Sequence, residues 1–325
     1  MFYKDTETEG GDVDPAVIAS SIRLLEENIE KVFIGKKEVV RLALTAFFGE
    51  GHLLLDDVPG VGKTLLGQAL ARSLNATFSR IQFTSDLLPS DVVGGEVYRQ
   101  KTQYFQFIPG PIFANIVLAD EVNRTPPRTQ SATLESMSER QVSADGKTYA
   151  LPDPFFVVAT ENPVEFEGVY PLPESQLDRF MMRISIGYPD RESELTILDV
   201  CGKGDALASL KPVLSLEQVK EIREAVKEVK LEPAIANYLL DVVDATRASS
   251  ELLVGASPRA SLTFARAARS LALISGRDYV VPDDVKQVAV YVLAHRLIPK
   301  NNRREDSRRV VESFVQRALS SVPTP

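Results

Sequence analysis

A glycine-rich loop near the start of the chain has the residue types and spacing that bind phosphate. Its candidate nucleotide-binding residues are Pro59, Gly60, Val61, Gly62, Lys63, Thr64 and Leu65. Glycines let the backbone curl so that its N–H groups point at a phosphate, and the start of the following helix adds positive potential. Lys63 would reach the β- and γ-phosphates, and the Thr64 hydroxyl would bind Mg²⁺. The generic pattern G-x-x-x-x-G-K-[ST] has glycine where this chain has Asp57, so a simple glycine-rich turn is the alternative.

Two apolar runs further along the chain end in polar residues that suit the same chemistry. The run 116–119 leads into Asp120 and Glu121, and the run 155–159 is soon followed by Asn162. Asp120 is placed to hold Mg²⁺ through its waters, and Glu121 to polarise an attacking water as a general base. The Asn162 amide would orient that water. Taken singly, a solvated strand end and a turn asparagine are plainer interpretations.

The elements that must position these residues have the pattern of a parallel sheet. A third apolar run, 52–55, precedes the glycine-rich loop, and helical spacing follows it over 64–74. Continuous apolar runs are typical of strands covered on both faces, and ligands of such sheets bind beyond the carboxyl ends of the strands. Because all three polar segments follow such runs, together they predict nucleoside-triphosphate binding with hydrolytic machinery.

The chain changes character after residue 190. Apolar residues recur at helical spacing from 216 to 297, whereas the segment 202–212 is rich in small residues. We therefore predict an α/β core over residues 1–190, a linker over 191–215, a small all-helical domain over 216–300 and a C-terminal tail over 301–325.

Composition excludes several classes of protein. The chain is 44% hydrophobic and 25% charged, with a net charge of -8 and a pI of about 5.1, which opposes non-specific attraction to nucleic acid. A single cysteine, Cys201, allows no internal disulfide. The uncharged segment 102–119 is interrupted by Pro-Gly-Pro, so we predict no membrane span, and the N-terminus lacks the apolar stretch of a secretory signal. A cytoplasmic location is expected.

Several long stretches resemble the MoxR family of AAA+ ATPases. The segments IVLADEVNRTPPRTQSATLESMSERQV (116–142) and FVVATENPVEFEGVYPLPESQLDRF (156–180) are similar to the family signature. LLPSDVVGGEVY and FIPGPIFAN resemble the segments around the family's helix-2 insertion, and DDVPGVGKT resembles its phosphate loop, including Asp57. The resemblance implies an AAA+ P-loop core with a parallel sheet flanked by helices, followed by a helical lid. It also implies an insertion at about 85–108, and the Asp145-Gly146 turn signal indicates a hairpin at about 141–150.

The resemblance also implies roles for individual residues. Ile34 and Gly35 would border the adenine of ATP, and Asn162 would be the sensor-1 residue. Arg179 would be the arginine finger that reaches a neighbouring subunit's γ-phosphate, and Arg259 the sensor-2 arginine of the lid. A guanidinium at the γ-phosphate offsets the charge that develops there.

Plainer interpretations of the two arginines stay open at the level of sequence. Arg179 could pair within its own chain with Asp178 or Glu174, and Arg259 could be a solvated arginine at a helix start.

The resemblance further implies a homo-oligomer, a ring of six subunits, that couples hydrolysis of ATP with Mg²⁺ to remodelling, maturation or metal loading of a protein. The expected partner is a client or adaptor, for example one with a von Willebrand factor A domain. A nucleic-acid motor or loader is an alternative, although the hairpin offers only Lys147, and the insertion offers Arg99 and Lys101 against Asp91 and Glu96. A nucleotide-gated scaffold with little turnover is a third interpretation.

Overall fold

A computed structural model describes residues 14–101, 103–144, 146–161, 168–201, 206–300 and 307–325. Its strands are β1 (Leu53–Asp56), β2 (Phe78–Gln82), β3 (Gly94–Arg99), β4 (Tyr104–Pro109), β5 (Ile116–Asp120), β6 (Gln141–Ala144), β7 (Lys147–Ala150), β8 (Phe156–Glu161), β9 (Met182–Ile184), β10 (Leu252–Val254) and β11 (Ile298–Pro299). Its α-helices are α1 (Pro15–Glu30), α2 (Lys37–Phe48), α3 (Lys63–Ser73), α4 (Pro89–Val93), α5 (Pro127–Glu139), α6 (Glu174–Leu177), α7 (Arg191–Cys201), α8 (Leu216–Glu228), α9 (Pro233–Ala248), α10 (Pro258–Ile274), α11 (Pro282–Leu293) and α12 (Ser307–Ser321).

The core of the first domain is a five-stranded parallel sheet. Its strand order is β2-β5-β8-β1-β9, and every residue of β1 and β5 is buried. Leu118 lies opposite Val158, and Leu54 lies opposite Ala159, so apolar side chains of neighbouring strands stack in register. The three runs predicted as doubly covered strands therefore form the three central strands of the sheet.

Two antiparallel hairpins project from this sheet. Strands β3 and β4 pair within the predicted insertion, and β6 pairs with β7 within the predicted hairpin at 141–150. The ring of Phe107 stacks on that of Tyr149 at a centroid distance of 3.8 Å, and Lys147 pairs with Glu96 at 3.0 Å. The two hairpins are thus held against each other by an aromatic stack and an ion pair.

Parts of the segments predicted as a linker and as a tail are helical. Helix α7 and a short 3₁₀ helix, Ala206–Ser209, occupy parts of the segment predicted as a linker. Helix α12 occupies part of the predicted tail, and its buried apolar residues recur every three or four positions: Val311, Phe314, Val315 and Ala318. That spacing gives α12 one apolar face, which packs into the same core as α9 and α11. We propose that the lid extends to the end of α12.

No helix within the ranges described above is long and apolar enough to cross a membrane.

Candidate functional site

The glycine-rich loop connects the carboxyl end of β1 to the start of α3, and Lys63 is the first residue of that helix. Gly60 and Gly62 have φ angles of +87° and +97°, which L side chains rarely adopt. Thr64 and Leu65 follow in the first turn of α3. The loop therefore presents backbone N–H groups and a helix start toward the same space, as phosphate binding requires.

Lys63 lies among carboxylates at this edge. Its Nζ donates to the backbone oxygen of Asp57 at 2.6 Å. Partial burial lowers the pKa of Lys63, and the negative charges of Asp120, Asp57 and Glu121 oppose that shift. The ammonium group therefore lies close enough to these carboxylates for their negative charge to raise its pKa.

Asp57, which departs from the generic loop pattern, has a structural role here. Its carboxylate accepts hydrogen bonds from the backbone N–H of Ile186 and, at 3.1 Å, from that of Gly187. The side chain is buried. Asp57 thus ties the phosphate loop to the chain that follows β9, which a glycine at this position could not do.

Asp120 and Thr160 form a hydrogen-bonded pair across β5 and β8. The Thr160 hydroxyl donates to Asp120 Oδ1 at 2.7 Å and accepts from the backbone N–H of Glu121 at 2.8 Å. Arg80 on β2 donates to the other carboxylate oxygen, Oδ2, at 2.6 and 3.2 Å. These hydrogen bonds fix the orientation of the Asp120 carboxylate, and Arg80 occupies the Oδ2 atom.

Glu121 has a left-handed backbone, with a φ of +59°. Its Oε2 accepts from Gln82 Nε2 at 2.8 Å and lies 3.1 Å from Arg124 Nε. These contacts hold the carboxylate at the carboxyl edge beside Asp120. Asn162, the predicted sensor-1 residue, lies outside the described residues.

A cavity of about 380 Å³ opens beside the loop and is mostly apolar. Five predicted nucleotide-binding residues line it: Ile34, Gly60, Val61, Gly62 and Leu65. Gly35, the next residue after Ile34, packs closely against α7: an added Cβ there would be 2.0 Å from Ser193 Oγ. An apolar cavity next to a phosphate loop suits an adenine ring.

The structure places Arg179 and Arg259 away from this cavity. Both line a second cavity of about 200 Å³, together with Gly51 and His52, which precede β1. The loop follows the other end of β1, about 13 Å away for a four-residue strand. The two arginines therefore lie together at the amino edge of the sheet, opposite their own chain's phosphate loop.

Arg179 uses one guanidinium nitrogen within its own chain. Its Nη1 donates to the Leu134 oxygen at 2.8 Å and to Ser138 Oγ at 2.9 Å. Its Nε is buried and has no hydrogen-bond partner within the described part of the chain. Asp178, considered above as its partner, instead accepts from Arg296 Nε at 2.8 Å.

Sequence reasoning missed several residues that shape the site. Arg80 lies in a strand where nothing in its spacing distinguishes it from other polar strand residues. Arg183 and Arg308 both pair with Asp56, at 2.5 and 2.7 Å, so α12 is tied to the carboxyl edge next to the loop. These contacts join residues distant in sequence, and local periodicity does not report them.

Comparison with known proteins matches both domains. The profile of the "ATPase family associated with various cellular activities (AAA)" matches residues 52–182, and the profile of the "AAA lid domain" matches residues 244–314. The second match reaches into α12.

Individual relatives cover nearly the whole chain. It is 46% identical over 299 residues to YeaC, an uncharacterized protein of Bacillus subtilis, an alignment that covers 92% of this chain and 93% of the relative. It is 42% identical over 320 residues to Chaperone MoxR1 of Mycobacterium tuberculosis, with 95% and 84% covered.

The fold has a close counterpart among crystal structures. A protein of Cytophaga hutchinsonii, provisionally described as an ATPase, superimposes with a TM-score of 0.85 at 39% identity, covering 93% of this chain and 96% of that one. The AAA+ core and helical lid predicted from the sequence are confirmed. The chain belongs to the MoxR family of AAA+ ATPases.

Proposed function

We propose that this chain hydrolyses ATP with Mg²⁺ and couples the reaction to remodelling of a partner protein. The observation that carries the proposal is the convergence of Lys63, Asp120 and Glu121 at the carboxyl edge, next to a glycine-rich helix start and an apolar cavity. The groups proposed to bind phosphate, to hold the cation and to act as general base thus lie at one edge of one sheet.

Each group has a defined part in the proposed reaction. Lys63 and the loop N–H groups would bind the phosphates, and Thr64 and Asp120 would hold Mg²⁺, which would supply positive charge against the phosphates. Glu121 takes the proton of the attacking water, which Asn162 would orient. Because Arg80 donates to Asp120 Oδ2, it would compete with the water ligands of a bound cation for that oxygen.

The positions of Arg179 and Arg259 support their action on a neighbouring subunit. Both lie at the sheet edge opposite their own phosphate loop, so they cannot reach their own chain's γ-phosphate without a large rearrangement. A head-to-tail ring, of six subunits as the family resemblance implies, would bring this edge against the next subunit's loop.

This arrangement is tested by mixing two inactive variants. Arg179→Ala has an intact base, and Glu121→Gln has an intact finger, so co-assembled rings should regain hydrolysis at hybrid interfaces. Co-expression with two affinity tags isolates mixed assemblies, and each variant alone is the control. No rescue in purified mixed assemblies would refute action in trans.

The partner is proposed to be a protein, and the relative from Mycobacterium tuberculosis is named a chaperone. The β3–β4 hairpin exposes Tyr104 and Phe105 by 75% and 65%, and Lys147 is paired with Glu96 rather than offered to a phosphate backbone. These features favour contact with polypeptide over nucleic acid.

The partner's class is tested by a pull-down with Glu121→Gln held in ATP, with Lys63→Ala as the control. A protein captured only by the ATP-bound form supports remodelling, and a von Willebrand factor A domain in it would support metal loading or maturation. Nuclease-sensitive complexes would instead favour a nucleic-acid motor.

A further inference from the structure

The cavity that holds Arg179 and Arg259 contains two more guanidinium groups. Arg140 and Arg266 also line it, so four arginines surround a space of about 200 Å³. Two carboxylates, from Glu50 and Asp178, face the same space.

Other cations already engage both carboxylates. Glu50 lies 2.7 Å from Arg140 and 3.1 Å from Lys227, and Asp178 lies 2.8 Å from Arg296. Each acid is therefore already shared with other cations, and the four arginines of the cavity outnumber its two carboxylates. The space has an excess of positive charge.

Arg259 and Arg266 carry that excess. Among the described residues, neither guanidinium has a hydrogen bond or an ion pair, whereas Arg179 donates only to neutral oxygens. Desolvation lowers the pKa of Arg266; the negative charge of Glu50 opposes that shift, and the charges of Arg140 and Arg259 add to it. Gathering unpaired cations in this way costs free energy unless an anion compensates them.

The two arginines also lie on one face of α10. They are seven residues apart, two helical turns or about 10 Å along the axis. Leu262, between them on the same exposed face, is 70% exposed. Arg266 therefore extends the surface on which the proposed sensor-2 arginine lies.

We propose that Arg266 is a third arginine that one subunit presents, with Arg179 and Arg259, to the triphosphate bound in the next subunit's phosphate loop. This role rests on the proposed function. The ligand is the triphosphate of a nucleotide, and the exposed Leu262 lies within the surface that meets the neighbouring subunit.

The test uses Arg266→Gln in the full chain, with Arg23→Gln on the exposed surface of α1 as the matched control. ATP hydrolysis by assembled Arg266→Gln should fall about ten- to hundredfold, as expected for loss of a charge-assisted contact. Arg266→Lys should recover part of the rate because it keeps the charge. Arg23→Gln should hydrolyse ATP as the wild type does.

Mixed assemblies separate action in trans from action in cis. A Lys63→Ala subunit cannot hold nucleotide but has an intact Arg266, so co-assembly with Arg266→Gln should raise hydrolysis above the sum of the two alone. No gain in purified mixed assemblies would overturn the proposal. Binding of a fluorescent ATP analogue to dilute, unassembled Arg266→Gln should match the wild type, and a several-fold loss there would also overturn it.

A second readout keeps this inference separate from the proposed hydrolysis. Sedimentation with a non-hydrolysable ATP analogue measures the protein concentration needed for assembly, and Arg266→Gln should require about tenfold more protein than the wild type. Equal concentrations would overturn the role of Arg266. Absence of hydrolysis in the wild type would refute the proposed ATPase alone, and the sedimentation result would still decide the Arg266 proposal.

Discussion

Replacing Arg296 with methionine should strongly destabilise the junction between the lid and the segment that carries Arg179. The Arg296 side chain is almost completely buried and pairs with Asp178 at 2.8 Å. It also donates to the backbone oxygens of Asp178 and Phe180, at 3.2 and 2.5 Å, and to that of Val292. One guanidinium thus fixes the residues on both sides of the proposed finger.

The magnitude follows from what the substitution leaves behind. Burial lowers the pKa of Arg296 to about 10, so the group is still a cation at neutral pH. Without it, the Asp178 carboxylate keeps, among the residues that the structure describes, a single long contact of 3.5 Å with Ser257 Oγ. Because the Asp178 side chain is 21% exposed, water solvates part of the charge that remains, and the cost should be about 3 kcal/mol, the lower end for breaking a buried ion pair.

Urea unfolding at pH 7 without nucleotide measures this cost. Arg317→Met is the matched control, because its ion pair with Glu251 is equally short at 2.7 Å but more than half exposed on both sides, and should contribute at most about 1 kcal/mol. The double variant Asp178→Asn/Arg296→Met should lose less than the sum of its single variants. An Arg296→Met cost no larger than that of Arg317→Met would show that the buried guanidinium contributes no more than an exposed ion pair.

Three further predictions concern single side chains. Asp57→Gly restores the generic loop pattern but removes the acceptor for two backbone N–H groups. Binding of an ATP analogue, measured by fluorescence titration, should therefore weaken about tenfold. Tighter binding would contradict a role of these hydrogen bonds in positioning the loop. Burial lowers the pKa of His52 from 6.5 to about 3. Below pH 6.5 His52 is protonated in the unfolded chain but stays neutral in the folded chain, so between pH 7 and pH 5 this residue should lower the free energy of unfolding by about 2 kcal/mol. In urea unfolding, His52→Gln should lack this loss of stability. An equal loss in the wild type and the variant would count against the assignment. Arg80→Ala should reduce the Mg²⁺ concentration for half-maximal hydrolysis about two- to fivefold, because Arg80 no longer competes for Asp120; an unchanged requirement would exclude that competition.

The central strands could be predicted from sequence because strands buried on both faces consist of continuous apolar runs. β1, β5 and β8 all appear this way, and each ends at the polar residues that matter. Strand β2, with the sequence FSRIQ, is only partly buried and gives no such run. Its Arg80, and with it the contact to Asp120, was therefore missed.

The placement of the lid could not be predicted, because it depends on packing between distant residues. Periodicity indicates that α10 is a helix, but not that its Arg259 lies beside Arg179 rather than at the phosphate loop. The pairing of Arg308 with Asp56, 252 residues apart, likewise leaves no local pattern. Sequence reasoning identified both proposed trans-acting arginines but not the edge of the sheet on which they lie.

The most direct test of the central claim is ATP hydrolysis by Glu121→Gln compared with the wild type, measured alongside nucleotide binding. If Glu121 is the general base, the substitution should reduce turnover about 10²- to 10⁴-fold while binding of an ATP analogue is retained. Lys63→Ala is the control that should lose both. Equal hydrolysis by Glu121→Gln and the wild type would contradict the account.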